Sequence, residues 1–97
     1  MDAVRILEQY GQTLRQLGIR RAGVFGSAAR GEALPDSDVD VYVEFDDAFR
    51  TYDNFYAASE LLEQAFGRRI DLVTDKALSE TKARLIVSTV RYASLGG

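Results

Sequence analysis

The chain has 97 residues, neither cysteine nor histidine, a net charge of −3 and a pI near 4.8. Disulfide frameworks, thiolate or imidazole metal centres and Ser-His-Asp triads are thereby excluded, so any metal must be held by oxygen, which favours magnesium or manganese. The acidic balance disfavours nucleic acid as the main substrate, because phosphate backbones are gripped by clustered lysine and arginine. Without an apolar leader or a run of about 18 apolar residues, the expectation is one cytoplasmic domain over 1–97 that makes no use of a membrane.

Val4, Ile6, Leu7, Tyr10, Leu14 and Leu17 recur at helical spacing before Gly18, which predicts one amphipathic N-terminal helix. Arg20 to Phe25 reads as a short strand. Gly26-Ser27 breaks it into Ala28-Ala29-Arg30, enough for one or two helical turns. Glycine lets the backbone approach a ligand closely, serine can cap or donate a hydrogen bond, and free N–H groups at such a turn attract anions. A phosphate fits there, although Gly-Ser alone equally describes an ordinary strand-to-helix turn. No Gly-Lys-Ser/Thr follows and the triple-glycine spacing is absent, so this is neither a Walker loop nor a dinucleotide fingerprint.

After a turn composition at Pro35-Asp36-Ser37, the segment from Asp38 to Phe45 alternates. On a strand, Asp38, Asp40, Tyr42 and Glu44 share one face, and Val39, Val41, Val43 and Phe45 share the core face. The Asp38 and Asp40 α-carbons then stand about 6.6 Å apart, close enough for their carboxylates to converge on one ion or a close pair. Alone, Asp-Val-Asp also fits a solvated strand face. Glu44 to Thr51 reads as a polar connection.

Phe55, Ala58, Leu61, Leu62, Ala65 and Phe66 mark a long helix with Asp53 or Thr51 as cap and Gly67 as its end. Arg69 to Val73 reads as a third strand, with Ile70 and Leu72 on one face and Asp71 on the other. A last helix is expected from about Leu78 to Tyr92, and Ser94 to Gly97 are expected to fray. The order α-β-α-β-α-β-α predicts an α+β fold in which a short three-stranded sheet carries helices on one face and leaves the aspartate face open. Two carboxylates holding divalent ions, a third able to hold an ion or draw a proton, and a phosphate turn have the chemistry of phosphoryl or nucleotidyl transfer.

Together, Gly26-Ser27, Arg30-Gly31, Ser37-Asp38, Asp40 and Asp71 resemble the signature of the polymerase-beta-type nucleotidyltransferase superfamily. Val24 to Gly31 and Ile70 to Thr74 are similar to the minimal nucleotidyltransferase domains known as MntA-like antitoxins, and the resemblance runs from about residue 4 to about residue 92. It implies a mixed-sheet nucleotidyltransferase core, two Mg2+ ions, ATP as nucleotide, and a HEPN-type toxin as the partner, which receives AMP on a tyrosine. Carried over residue by residue, Gly26 and Ser27 bind the triphosphate, Asp38 and Asp40 ligate both metals, and Asp71 completes the catalytic metal site. Ala28 stands where relatives often carry a larger basic residue.

Arg30, next to the phosphate turn, is a further candidate for the nucleotide, as are Arg68, Arg69, Lys76 and Lys82, each of which also fits a surface charge. Tyr42 suits either base stacking or packing at a sheet edge, and Val87, Arg91 and Tyr92 could form a docking surface. Two functions remain open: an AMP transferase acting on its toxin, or a non-catalytic antitoxin that neutralises the toxin by binding it.

Overall fold

The computed structural model describes residues 2–32 and 37–96. The Pro35-Asp36 turn lies outside the described residues. Asp2 caps the first helix by accepting the Arg5 amide at 3.1 Å. The expected N-terminal helix is in fact two, α1 (Ala3–Gln9) and α2 (Gly11–Gln16), because the chain leaves helical geometry at Tyr10 (φ −105°, ψ 13°). At that break the Leu95 backbone closes in: a Cβ on Gly11 would lie 2.8 Å from the Leu95 carbonyl oxygen. The apolar stripe survives the break, and Leu7 and Leu14 are both fully buried.

Among the described residues, four strands form one mixed sheet in the order β3-β2-β1-β4: β1 (Ile19–Phe25), β2 (Val39–Phe45), β3 (Ile70–Thr74) and β4 (Arg91–Ala93). β1 runs antiparallel to β2 and β4, whereas β2 and β3 are parallel. A short helix, α3 (Gly26–Ala29), leaves β1, and a 3₁₀ turn (Asp47–Phe49) leaves β2. The parallel pair requires a crossover, supplied by α4 (Tyr52–Phe66). Thr51 caps it by accepting the Asn54 amide at 3.2 Å, and Gly67 ends it in the left-handed conformation at φ 67°.

The α+β class is as expected, and the fourth strand is the difference. The last helix, α5 (Glu80–Thr89), begins at a Ser79 cap and stops before Val90, whose backbone is extended (φ −61°, ψ 137°). Arg91 to Ala93 then pair with Val24 to Ala22. Valine and tyrosine suit a pleated surface, and bonding to an exposed β1 edge outweighs one more helical turn. Nor are Ser94 to Gly96 loose: the Ser94 amide donates to Glu8 Oε2 at 2.9 Å, and Arg15 donates to the Gly96 carbonyl.

Ala22, Val24, Val39, Val41 and Val43 face a core shared with α1, α2 and α4, which supply Leu7, Leu14, Ala58 and Leu62. A second cluster, Phe25, Tyr42, Val73 and Ile86 with Leu78, Leu85 and Val90 packed against it, lies on the other face. Helices therefore do not keep to one face. Phe25, Tyr42 and Val73 project beside the aspartates and must be covered, and α5 covers them.

Candidate active site

Asp40 is the second residue of β2, and its neighbours across both ladders define the site. It pairs with Phe25 on β1 and with Asp71 on β3, so the two aspartates are directly opposed on parallel strands and share a face. Burial pushes the Asp40 carboxyl above its ordinary 3.8, Lys82 pulls it back, and the charges of Asp71 and Asp38 push it up again. Two half-buried acids this close call for a cation.

Asp38 is exposed, two residues before Asp40 at the mouth of β2, where the Val39 amide donates to the Arg69 carbonyl at 3.0 Å. Among the described residues, no three carboxylates are gathered closely enough to enclose an ion as they stand. The donor set nevertheless fits a hard divalent cation: every available side-chain ligand is an oxygen, Asp40 and Asp71 lie on adjoining strands, and Asp38 immediately precedes β2 at the same end of the sheet.

The glycine-serine turn meets Asp40 directly. Gly26 has φ 67°, and a Cβ there would lie 2.5 Å from Asp40 Oδ2, so only glycine suits both the backbone and the space. Ser27, half-buried in the first turn of α3, holds the loop back through its carbonyl, which accepts the Glu32 amide at 2.9 Å. Arg30 ends α3 at the surface with its Nε 3.3 Å from Glu32 Oε1.

Two functional neighbours come from α5. Lys82 donates to Asp71 Oδ2 at 2.9 Å and stands 5.6 Å from the Phe25 ring centroid. The hydrogen bond to Asp71 raises the Lys82 pKa above its ordinary 10.5 against the opposing effect of burial. Seven residues on, Thr89 Oγ1 accepts the Gly26 amide at 3.0 Å and itself donates to the Leu85 carbonyl at 2.6 Å. Sequence reasoning placed Thr89 within the expected last helix, and Lys82 among five candidate cations. The usable signal was their spacing: 82, 85, 86 and 89 share one helix face, so whatever seats Ile86 also aims both polar side chains.

Arg69 and Lys76 are exposed, and Lys76 lies past the C-terminal end of β3, away from Asp71. Tyr42 is a packed aromatic: it is buried, donates to Glu44 Oε2 at 2.7 Å and meets Tyr92 edge-on. Val87 and Tyr92 are exposed, with the Arg21 guanidinium 4.1 Å over the Tyr92 ring. A cavity of about 330 Å3 lined by Phe45, Arg50, Thr51, Tyr52, Phe55, Thr74 and Ala77 opens at the opposite end of β2 and β3 from the carboxylates. Among the described residues, no helix is long and apolar enough to cross a membrane.

Comparison with known proteins agrees with this geometry. The chain is 40% identical over 88 residues to the protein adenylyltransferase MntA of Thermococcus cleftensis, covering 90% of this chain and 88% of that one. A solved structure provisionally described as a minimal nucleotidyltransferase superposes with a TM-score of 0.74 at 30% identity, covering 94% of this chain and 95% of the other. The fold is also shared with a complex of a tri-AMPylated HEPN toxin and its MNT antitoxin from Shewanella oneidensis (TM-score 0.65, 20% identity, 97% of this chain and 72% of that one). The family model of the nucleotidyltransferase domain matches residues 5–94, which include the glycine turn and all three aspartates. By sequence and by fold, the chain belongs to the nucleotidyltransferase domain family, in its minimal, MntA-like branch.

Proposed function

We propose that this chain is an antitoxin that transfers AMP from ATP to a tyrosine of a HEPN-type toxin, with two Mg2+ ions held by Asp38, Asp40 and Asp71. The observation that carries the reading is Asp40 standing against Gly26 and directly opposite Asp71. Support for the acceptor class comes from the adenylyltransferase name of the Thermococcus relative and from the AMPylated toxin in the Shewanella complex.

Asp38, Asp40 and Asp71 would hold the metal ions, which when bound would supply positive charge to offset the negative charge that develops on the transferring phosphoryl group. Gly26 and Ser27 seat the triphosphate and orient its α-phosphorus toward the carboxylates, with Arg30 beside the turn. The tyrosine oxygen forms the new O–P bond, the bond to the β-phosphate bridging oxygen breaks, and pyrophosphate leaves. A carboxylate oxygen of Asp71 takes the tyrosine proton. Asp40 holds the reacting centre close to the turn.

The test is incubation with the cognate toxin and ATP labelled on the α-phosphate, with the toxin mass read in parallel. Transfer adds one or more AMP masses to the toxin, and Asp38→Asn or Asp40→Asn abolishes it without loss of fold. Label transfer that survives in the double variant overturns the reading. A toxin inhibited in a tight complex yet unchanged in mass makes the chain a binding antitoxin instead.

A further inference from the structure

Resting on that reading of Asp40 and Asp71 as cation ligands, we propose that Lys82 is the resident counter-ion of the carboxylate pair. A divalent cation enters by displacing it, so Lys82 sets the cation concentration at which the site fills. Lys82 Nζ sits 2.9 Å from Asp71 Oδ2, on the acid that directly faces Asp40 across the β2 and β3 ladder. It brings one positive charge to two opposed carboxylates, offsetting their repulsion without cancelling it. Asp38 adds a third negative charge at the same end of the sheet.

The lysine is delivered by a fixed support. α5 is capped by Ser79, whose hydroxyl accepts the Lys82 amide at 3.1 Å, and seats Ile86 in the cluster of Phe25, Tyr42 and Val73. The ammonium itself is not locked in. The Lys82 side chain is 39% exposed and the Asp71 side chain 43%, so the four-carbon stem can swing the charge into water once a stronger cation arrives. A compact, movable point charge on a rigid helix is suited to holding a metal site ready and then giving way.

Mn2+ titration of the full chain without nucleotide, followed by electron paramagnetic resonance, tests this. Lys82→Met is expected to bind Mn2+ about fivefold more tightly than the native chain. Lys82→Arg, which keeps the charge, is expected to bind like the native chain. Unchanged or weaker Mn2+ binding by a folded Lys82→Met overturns the proposal, and if Asp40→Asn loses the Mn2+ the metal role of the aspartates stands without it. No Mn2+ binding by either the native chain or Lys82→Met overturns the metal-site reading and this proposal together. Should Lys82→Met fail to fold, Lys82→Gln supplies the same comparison.

Discussion

Gly26 and Asp40 are packed so closely that any side chain on the glycine would collide with a carboxylate oxygen, its Cβ standing 2.5 Å from Asp40 Oδ2. Gly26→Ala combines that collision with a left-handed backbone at φ 67°. The expected cost is about 2–3 kcal/mol in stability and, because the carboxylate must move, on the order of 10²-fold in label transfer. Denaturant unfolding and transfer assays on the same preparation check both. An activity loss no larger than the loss of folded protein would remove the turn from the site.

Asp40→Asn separates function from stability. Burial and the neighbouring Asp71 work against the charged form of Asp40 in the metal-free chain, so removing the charge relieves the fold. Transfer should vanish while the melting temperature, measured in chelator, stays level or rises. A clear fall would make Asp40 a structural residue.

Thr89 gives the Gly26 amide its acceptor. Thr89→Val keeps the shape and removes the oxygen, which should cost about 1–2 kcal/mol and reduce kcat about tenfold by loosening the turn. Thr89→Ser should restore kcat. A serine variant as impaired as the valine variant would point to lost methyl packing, not to the hydrogen bond.

Arg50 ties the end of β2 to the turn after β3, with Nη1 2.6 Å and Nη2 3.2 Å from the two Asp75 carboxylate oxygens and Nη2 3.0 Å from the Phe45 carbonyl. Burial raises the Asp75 pKa, but the Arg50 hydrogen bonds and charge outweigh it and hold the carboxyl below its ordinary 3.8. The unfolded chain therefore binds the proton first, and this part of the stability, complete above about pH 4, is lost as pH falls through the lower folded value. Asp75→Asn should cost about 1–3 kcal/mol at pH 7 and flatten the acid limb of a stability profile measured by urea unfolding. An unchanged acid limb would assign acid lability to other carboxyls, with Glu44, held down by Arg21 and Tyr42, the next to examine.

Period-two alternation around Asp40 and Asp71 was legible because a strand with one apolar face can place its polar residues only on the other. Their pairing was not, since register between strands 31 residues apart (71 minus 40) is decided by tertiary packing. The break at Tyr10 escaped the helical period because it depends on Leu95 approaching Gly11 from the far end of the chain. β4 was hidden for a similar reason: Val90 to Tyr92 read as the end of the last helix, and the free edge of β1 makes extension the better choice. Lys82 and Thr89 became site residues once α5 was seen on the aspartate face, a placement demanded by Phe25, Tyr42 and Val73.

The parallel pairing of β2 with β3 also bears on when the site comes into being. Parallel neighbours cannot be joined by a hairpin, so Asp40 and Asp71 meet only after the whole α4 crossover has closed, and such long loops form late compared with local helices. During refolding, helical signal should recover before any capacity to transfer label. A partly folded chain would hold its carboxylates apart and be chemically silent.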